Sequence, residues 1–208
     1  MNKTVLIAHY NKNLDWVSNI SNDFQISVYS TSDKTKNFVT NKGMDSIMYI
    51  KYIIDNYNTM STKTIFCHHH EFDWTQDYSL HFIINNLKID CDDYFSICAR
   101  ANYSNVFVVA PETRKILKEN WYIFEKYIEY PDQLFYYAGT QFCVDKRLIL
   151  SYPLEYWEFL YNWILDSDLP DALVGRIFEW CWHYLLTKIP IEKQRDIKEI
   201  IDFGDKWK

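Results

Sequence analysis

Residues 64–74, TIFCHHHEFDW, join a short apolar run to a dense group of polar side chains. A continuous apolar run of this length is typical of a strand that is buried on both faces of a parallel sheet. Residues 5–8, VLIA, form a second such run and are followed by HYN at 9–11. Ligands of open α/β sheets bind at the carboxyl ends of the strands, so both polar groups are expected at one functional edge.

Turn signals and hydrophobic periodicity divide the rest of the chain. Further strands and helices are predicted, with strands at 25–29, 95–99, 106–110 and 139–145, and helices at 47–57, 76–87, 111–127, 154–165, 173–186 and, as a charged tail, 191–201. This order indicates an α/β fold with a mostly parallel central sheet flanked by helices and a helical C-terminal part. One domain covering 1–208 is expected, either as a whole protein or as one module of a longer chain.

The composition limits the classes of function. The formal net charge of −6 provides no basic surface for nucleic acid. No stretch approaches the roughly 18 apolar residues of a membrane span, and the first apolar run is too short for a signal peptide. The five cysteines form no CxxC pair, which predicts buried, reduced thiols and a cytoplasmic protein.

The histidine triplet is the densest group of metal-binding side chains in the sequence. On an extended backbone His68 and His70 would point to the same side, with Cα atoms about 6–7 Å apart. Glu71 or Asp73 would complete the shell of a shared ion. A structural role for the histidines is the alternative.

Residues 175–183, GRIFEWCWH, contain a polar stripe on an otherwise apolar helix. Arg176, Glu179 and His183 are three and four residues apart and therefore share one helix face. Such a stripe either forms a surface pair between Arg176 and Glu179 or places a carboxylate and an imidazole in a cleft.

Two single cations are weaker candidates for a phosphate site. Lys42 lies near a predicted helix start, where free backbone amides favour a phosphate oxygen, and Arg100 follows the predicted strand at 95–99. A solvated loop is the alternative for both. The patterns GxGxxG, GxxxxGK[ST], GxSxG and HExxH are absent from the sequence, which argues against dinucleotide, P-loop and α/β-hydrolase sites.

The order of these landmarks resembles the GT-A nucleotide-diphospho-sugar glycosyltransferases. In that fold the first strand ends in polar residues that hold the nucleotide, here residues 8–11. A later strand ends in Asp-x-Asp, which holds Mn²⁺ or Mg²⁺ on the diphosphate; residues 64–70 stand in its place, with three histidines replacing the motif. The glycine-led run at 138–142 resembles the strand that lines the sugar or acceptor pocket.

A closer resemblance is to a little-characterised family of short fungal and viral proteins, and also to the glycosyltransferases of large algal viruses, which build capsid glycans. The family pattern includes ARYN with DLxW, NKGREAxxYLxYI, FLHGHxxSW and GRxFExxWH. The corresponding segments here are 8–16, 41–50, 66–74 and 175–183, and the resemblance covers residues 5–187.

The resemblance implies a metal-dependent glycosyltransferase that moves a sugar from a nucleotide-diphosphate donor, with a UDP-sugar favoured, to a glycan or protein acceptor. Glu179 is the predicted catalytic carboxylate. The predicted ligands of Mn²⁺, with Mg²⁺ or Zn²⁺ as alternatives, are His68, His70, Asp73 and His183. The predicted nucleotide-sugar-binding residues are Ala8, His9, Tyr10, Asn11, Lys42, Asp45, Arg100, Gly139 and Gln141. A viral origin would place the protein in the host cytoplasm.

Two other functions remain open. His68, His70 and Asp73 resemble the HxHxDH run of metallo-β-lactamases, with the aspartate one position late, which favours a zinc-dependent hydrolase. The aromatic content of 18% favours a non-catalytic glycan- or protein-binding module. Thermal stabilisation by UDP with Mn²⁺ would support the transferase. Tight zinc binding without nucleotide would support the hydrolase, and the absence of both responses would support the binding module.

Overall fold

The computed structural model describes residues 2–90, 92–98, 103–109, 111–189 and 196–203. The strands are β1 (Lys3–His9), β2 (Gln25–Ser30), β3 (Asn37–Phe38), β4 (Lys63–His68), β5 (Tyr94–Ser96), β6 (Tyr103–Asn105), β7 (Phe135–Tyr137) and β8 (Phe142–Asp145). The α-helices are α1 (Asp45–Asn56), α2 (Leu80–Asn86), α3 (Val106–Val109), α4 (Pro111–Asn120), α5 (Lys146–Ile149), α6 (Leu154–Asp166), α7 (Asp171–Thr187) and α8 (Ile197–Ile200). Short 3₁₀ helices span Asp15–Asn19 and Trp121–Ile123. The predicted α/β class with a helical C-terminal part is confirmed.

The central sheet contains six strands in the order β3-β2-β1-β4-β8-β5. β1 pairs in parallel with β2 and β4, and β2 pairs in parallel with β3. β8 is antiparallel to both β4 and β5. The sheet is therefore mixed, and the reversed β8 begins at the edge where β4 ends. β6 and β7 form a separate antiparallel pair.

Period-two alternation along β1 and β4 separates two cores. Leu6 and Phe66 face one side of the sheet, in a cluster with residues of α1, α6 and α7. Val5 and Ile65 face the other side, in a cluster with residues of α2 and the first 3₁₀ helix. These two strands are thus buried on both faces, which explains their uninterrupted apolar sequences.

The strand predicted at 106–110 is wrong. Val106–Val109 form α3 instead, and Ala110 lies outside the described residues. Val106 is fully buried, and its backbone N donates a hydrogen bond of 2.8 Å to Leu134 O. Tertiary contacts therefore override the strand propensity of the valines. The helices predicted at 76–87 and 111–127 are shorter in the structure, where they correspond to α2 and α4.

Within the described ranges, no helix is both long and apolar enough to cross a membrane. The cysteines that the structure describes are buried, as predicted: Cys67, Cys98, Cys143 and Cys181. Cys91 lies outside the described residues, as do residue 99 of one predicted strand and residues 191–195 of the predicted helical tail.

Candidate active site at the carboxyl edge of the sheet

The strand order creates a topological switch point between β1 and β4. From β1 the chain continues to β2 and β3 on one side, whereas β4 lies on the other side. Ala8 pairs with His68 in the parallel register, so the ends of β1 and β4 meet at one edge, called here the carboxyl edge. Ligands of open α/β proteins bind at such a point. The two polar groups recognised in the sequence do lie at one edge, as predicted.

His68 is the centre of a polar cluster at this edge. Its Nε2 lies 3.1 Å from Asp45 Oδ2 and 2.8 Å from Thr140 Oγ1. Its Nδ1 lies 3.6 Å from Asp73 Oδ2. Asp45 begins α1, Asp73 follows β4, and Thr140 precedes β8. Segments that are distant in sequence therefore converge on one imidazole.

The two carboxylates determine the charge of His68. Burial disfavours the protonated imidazole, but Asp45 and Asp73 outweigh this effect and raise the pKa of His68 to about 10. The hydrogen bond with His68 lowers the pKa of Asp73 in turn. The imidazole is therefore protonated at neutral pH and paired with both carboxylates.

A strained turn presents Asp45 to His68. Gly43 and Met44 precede α1 with φ values of 71° and 57°, and a positive φ is costly for a residue other than glycine. Met44 packs against Gly175 of α7, where an added Cβ would lie 2.9 Å from Met44 Cγ. The close approach of α7, which a glycine alone permits, holds this turn in place.

A cavity of about 150 Å³ lies between this cluster and α7; it is called the acidic cavity. Its lining comes from the start of α1, the end of β4, the segment before β8, and α7: Met44, Asp45, Ser46, His68, Asp73, Trp74, Gly139, Thr140, Gly175 and Glu179. Three carboxylates and one imidazolium therefore share a small space.

Glu179 faces this cavity and has a defined partner. Its Oε1 accepts a hydrogen bond of 2.9 Å from Gly139 N. Burial raises the pKa of Glu179, while the hydrogen bond from Gly139 opposes the shift. Arg176 is exposed. Of the two interpretations of the stripe on α7, the structure thus agrees with a carboxylate in a cleft.

A second and larger cavity, of about 700 Å³, lies at the carboxyl ends of β1 and β2; it is called the lysine groove. Its lining residues are His9, Asn11, Lys12, Asn13, Leu14, Ser32, Asp33, Lys34 and Lys36. Lys36 pairs with Asp33 at 2.6 Å, and Lys12 and Lys34 are exposed. The groove therefore has an excess of positive charge, in contrast to the acidic cavity on the same edge.

The predicted joint role of His68 and His70 as ligands assumed an extended backbone through residue 70. β4 ends at His68, so the alternation of an extended strand does not continue. His69 is buried, with Nδ1 at 3.3 Å from Ala8 O, and burial followed by the effect of His70 lowers its pKa to about 4. The ring of His70 is exposed and its centroid lies 3.9 Å from that of His69.

The fourth predicted metal ligand is also elsewhere. His183 packs edge-on against Tyr94, with ring centroids 4.9 Å apart, and it is not among the residues that line the acidic cavity. Burial lowers the pKa of His183 to about 4. In the part of the chain that the structure describes, no group of three or more His, Cys, Asp or Glu side chains has a metal-binding arrangement. The predicted set of four ligands is therefore not assembled.

The predicted nucleotide-sugar residues divide between the two cavities and the core. His9 and Asn11 line the lysine groove, whereas Asp45 and Gly139 line the acidic cavity. His9 is held in place by Ser30 Oγ, 2.9 Å from its Nδ1. The backbone of Asn11 adopts a φ of 43°.

Other predicted binding residues have structural partners. Gln141 is buried, and its Oε1 accepts a hydrogen bond of 3.1 Å from His68 N. Lys42 is paired with Asp171 at 3.3 Å and donates to Leu169 O at 3.1 Å, so its ammonium group is already engaged by the start of α7.

The remaining predicted residues give a mixed result. Ala8 is fully buried. The hydroxyl of Tyr10 is buried and has no hydrogen-bond partner among the described residues, and burial followed by the charges of Asp45 and Asp171 raises its pKa. Arg100 lies outside the described residues.

Five residues that line the acidic cavity were not predicted as site residues from the sequence: Met44, Ser46, Trp74, Thr140 and Gly175. The sequence does contain a signal for Gly175, because an isolated glycine inside a helical pattern often marks close packing of the helix against a neighbour. Trp74 directly follows Asp73, but the exposure of its ring depends on the tertiary structure and cannot be predicted from the sequence. Thr140 reaches His68 only because Gly139 and Thr140 have φ values of 103° and 44°, which the sequence does not reveal.

The fold and the site define an α/β protein with two charged cavities at the carboxyl edge of a mixed sheet. Residues 5–198 match the family described as protein of unknown function (DUF3431). The chain belongs to this family. No curated protein and no solved structure matches it.

Proposed function

We propose that the protein is a glycosyltransferase of the GT-A type, which moves a sugar from a nucleotide-diphosphate donor, a UDP-sugar in the favoured case, to an acceptor hydroxyl. The observation that carries this proposal is the pair of oppositely charged cavities on one edge of the sheet. A nucleotide-diphosphate sugar has matching halves, since the diphosphate is anionic and the sugar is a neutral ligand rich in hydroxyl groups.

The lysine groove supports the donor half of the proposal. It is large enough for a nucleotide, because ligand sites usually measure about 300–1,000 Å³. Lys12, Lys34 and Lys36 supply positive charge around it, and the ends of β1 and β2 form its base. Lys42, assigned to the phosphates from the sequence, is replaced in this role by these lysines.

The acidic cavity supports the transfer half. Its volume of about 150 Å³ is below that of a nucleotide site and suits one sugar unit or less. Glu179 is the proposed catalytic carboxylate. Its raised pKa brings it closer to neutrality, where a general base works most efficiently. In this mechanism Glu179 accepts the proton of the acceptor hydroxyl as that oxygen attacks the anomeric carbon and the diphosphate leaves.

His68 contributes a fixed positive charge. Its imidazolium contacts Asp45, Asp73 and Thr140, so it holds two carboxylates of the cavity in fixed positions before the substrates bind. The predicted ligands of Mn²⁺ do not form a site in this geometry: His183 does not line the acidic cavity, and the described residues contain no group of three or more such side chains that could hold a metal. No step of the mechanism is therefore routed through a metal. Whether Mn²⁺ assists donor binding is a separate prediction, which thermal unfolding with and without Mn²⁺ tests.

Thermal unfolding with UDP, with and without Mn²⁺ or EDTA, tests the proposal. UDP at a hundredfold excess over its dissociation constant should stabilise the native state by about 2.7 kcal/mol, which corresponds to roughly 5–10 °C in melting temperature for a chain of this size. The sugar donor is then identified by release of UDP from a panel of UDP-sugars. No stabilisation by UDP under any condition would contradict the proposal. Tight zinc binding without nucleotide would instead favour the hydrolase.

A further inference from the structure

Two neighbouring aromatic residues on the loop after β4 are almost fully open to solvent. Phe72 is 69% exposed and Trp74 is 67% exposed, and they flank Asp73, whose carboxylate contacts His68. They differ in one respect: Trp74 lines the acidic cavity, whereas Phe72 does not. A large apolar ring left in water at the mouth of a charged cavity is a typical feature of a ligand site.

The backbone around Trp74 is fixed although its ring is exposed. Asp73 precedes it and is held by His68. Thr75 follows it, is fully buried, and packs against Gly139, where an added Cβ would lie 2.9 Å from Thr75 Cγ2. Asp73 also accepts hydrogen bonds from Thr75 N at 3.2 Å and, through its carbonyl oxygen, from Gln76 N at 3.1 Å. The backbone that carries Trp74 is therefore fixed before a ligand binds, which reduces the entropic cost of binding.

The chemistry around Trp74 selects one class of ligand. Asp45, Asp73 and Glu179 outnumber the single imidazolium in the cavity, so an anionic ligand is disfavoured there. Each carboxylate oxygen accepts more than one hydrogen bond, which suits a ligand that carries many hydroxyl donors. The indole face requires an apolar surface on the same ligand. A pyranose ring combines one apolar face with a rim of hydroxyl groups.

We propose that Trp74 is the acceptor platform of this protein and that the acceptor is a carbohydrate, whose ring stacks on the indole while a hydroxyl group points toward Glu179. This inference rests on the proposed function and narrows it, because it selects a glycan over a protein as the acceptor. Met44, which is 46% exposed on the same cavity, provides a second apolar contact at the rim.

Steady-state transfer with Trp74→Ala, Trp74→Phe and Phe72→Ala tests the platform. Trp74→Ala should raise the acceptor KM about tenfold, the magnitude expected for losing one aromatic stacking contact, while the stabilisation by UDP stays at the wild-type value. Trp74→Phe should recover most of the loss, since it restores an aromatic face. Phe72→Ala is the matched control and should change KM by less than twofold, because it removes an equally exposed ring that does not line the cavity. Equal effects of Trp74→Ala and Phe72→Ala would overturn the proposal.

Direct binding separates this inference from the transferase proposal. Saturation-transfer NMR with cellobiose, maltose, lactose and xylobiose, recorded without nucleotide, should show binding of at least one disaccharide to the wild-type protein and to Phe72→Ala, and its loss in Trp74→Ala. Disaccharide binding without stabilisation by UDP would support the platform and contradict the transferase. Stabilisation by UDP with no disaccharide binding, or with transfer to peptides alone, would overturn the platform and leave the transferase intact.

Discussion

The acidic cavity and the lysine groove lie on the same edge of the sheet but are constructed differently. The acidic cavity draws on α1, β4, the segment before β8, and α7. His68 contacts Asp45 and Asp73 directly, and Glu179 accepts a hydrogen bond from Gly139 N. The lysine groove is formed by two short segments that follow β1 and β2, and Lys12 and Lys34 on its rim are exposed. Contacts between charged side chains fix the first region, whereas hydrogen bonds of His9 and Asn11 with Ser30 and Ser32 join the two segments of the second. We therefore expect turnover and stability to depend on side-chain geometry in the acidic cavity, and UDP binding to depend on total charge in the lysine groove.

The largest effect is expected at Glu179. Glu179→Gln keeps an oxygen that can accept the hydrogen bond from Gly139 N but removes the proton acceptor. Turnover should fall by roughly two to four orders of magnitude, while stabilisation by UDP is unchanged. The measurement is single-turnover transfer beside thermal unfolding. Wild-type turnover in Glu179→Gln would contradict the catalytic role of Glu179, and with it the proposed difference between a catalytic cavity and a binding groove.

His68 is expected to dominate the stability of the cavity. His68→Ala leaves Asp45 and Asp73 without their shared cation, and breaking a buried ion pair by removing one partner costs about 3–5 kcal/mol. His70→Ala is the matched control, because it removes a neighbouring imidazole that is exposed, and it should change the free energy of unfolding by less than about 0.5 kcal/mol. Urea denaturation of both variants checks this. Similar losses in the free energy of unfolding for His68→Ala and His70→Ala would show that the contacts of His68 with Asp45 and Asp73 do not stabilise the protein.

Gly175 tests whether the cavity depends on its backbone contacts. Gly175→Ala places a Cβ 2.9 Å from Met44 Cγ and Sδ, which should displace the turn that presents Asp45. We expect a loss of about 1–3 kcal/mol of stability, as for other overpacked sites, together with reduced turnover. Thermal unfolding and transfer rates report the two effects. A fully active and stable Gly175→Ala protein would indicate that Met44 moves aside without affecting Asp45.

The smallest effect for any single residue is expected in the lysine groove. Replacing Lys12 or Lys34 by Ala should weaken UDP binding only a few-fold, because exposed charges interact weakly through water. The double variant should lose approximately the product of the two factors and should bind with reduced salt dependence. Calorimetric titration at two salt concentrations measures both quantities. A large loss from one lysine alone, with no change in salt dependence, would mean that the groove is as precisely organised as the cavity.

The parts of the fold that sequence reasoning predicted correctly are those governed by local pattern. The runs at 5–8 and 64–67 are apolar because β1 and β4 are buried on both faces, and α1, α6 and α7 follow the helical periodicity closely. The valine-rich run at 106–109 gives a strand pattern but forms α3, because its environment is set by contacts with residue 134 and beyond. The short strands β3, β6 and β7 carry no comparable pattern and were missed.

For the site, the sequence identified the correct edge but not the correct partners. His68, Asp73 and Glu179 were recognised as chemically important, and all three line the acidic cavity. The pairing of His68 with Asp45 joins positions 23 residues apart and depends on a positive φ at Met44, so spacing alone could not predict it. The prediction for His70 relied on the period of a strand, which applies only as far as the strand extends, and β4 ends at His68.

The reversed direction of β8 has a practical consequence for altering the protein. In a purely parallel sheet, only strand ends would reach the functional edge, but here Gly139 and Thr140 approach it from the start of a strand, while Asp145 at the other end of β8 pairs with Lys63 on the far edge. Length changes between β7 and β8 would therefore reshape the rim of the acidic cavity, which Gly139 and Thr140 line. Insertions just after Asp145 would instead disturb the opposite side of the molecule, where Asp145 caps α5 by accepting a hydrogen bond from Arg147 N and Lys146 N donates to Thr62 O.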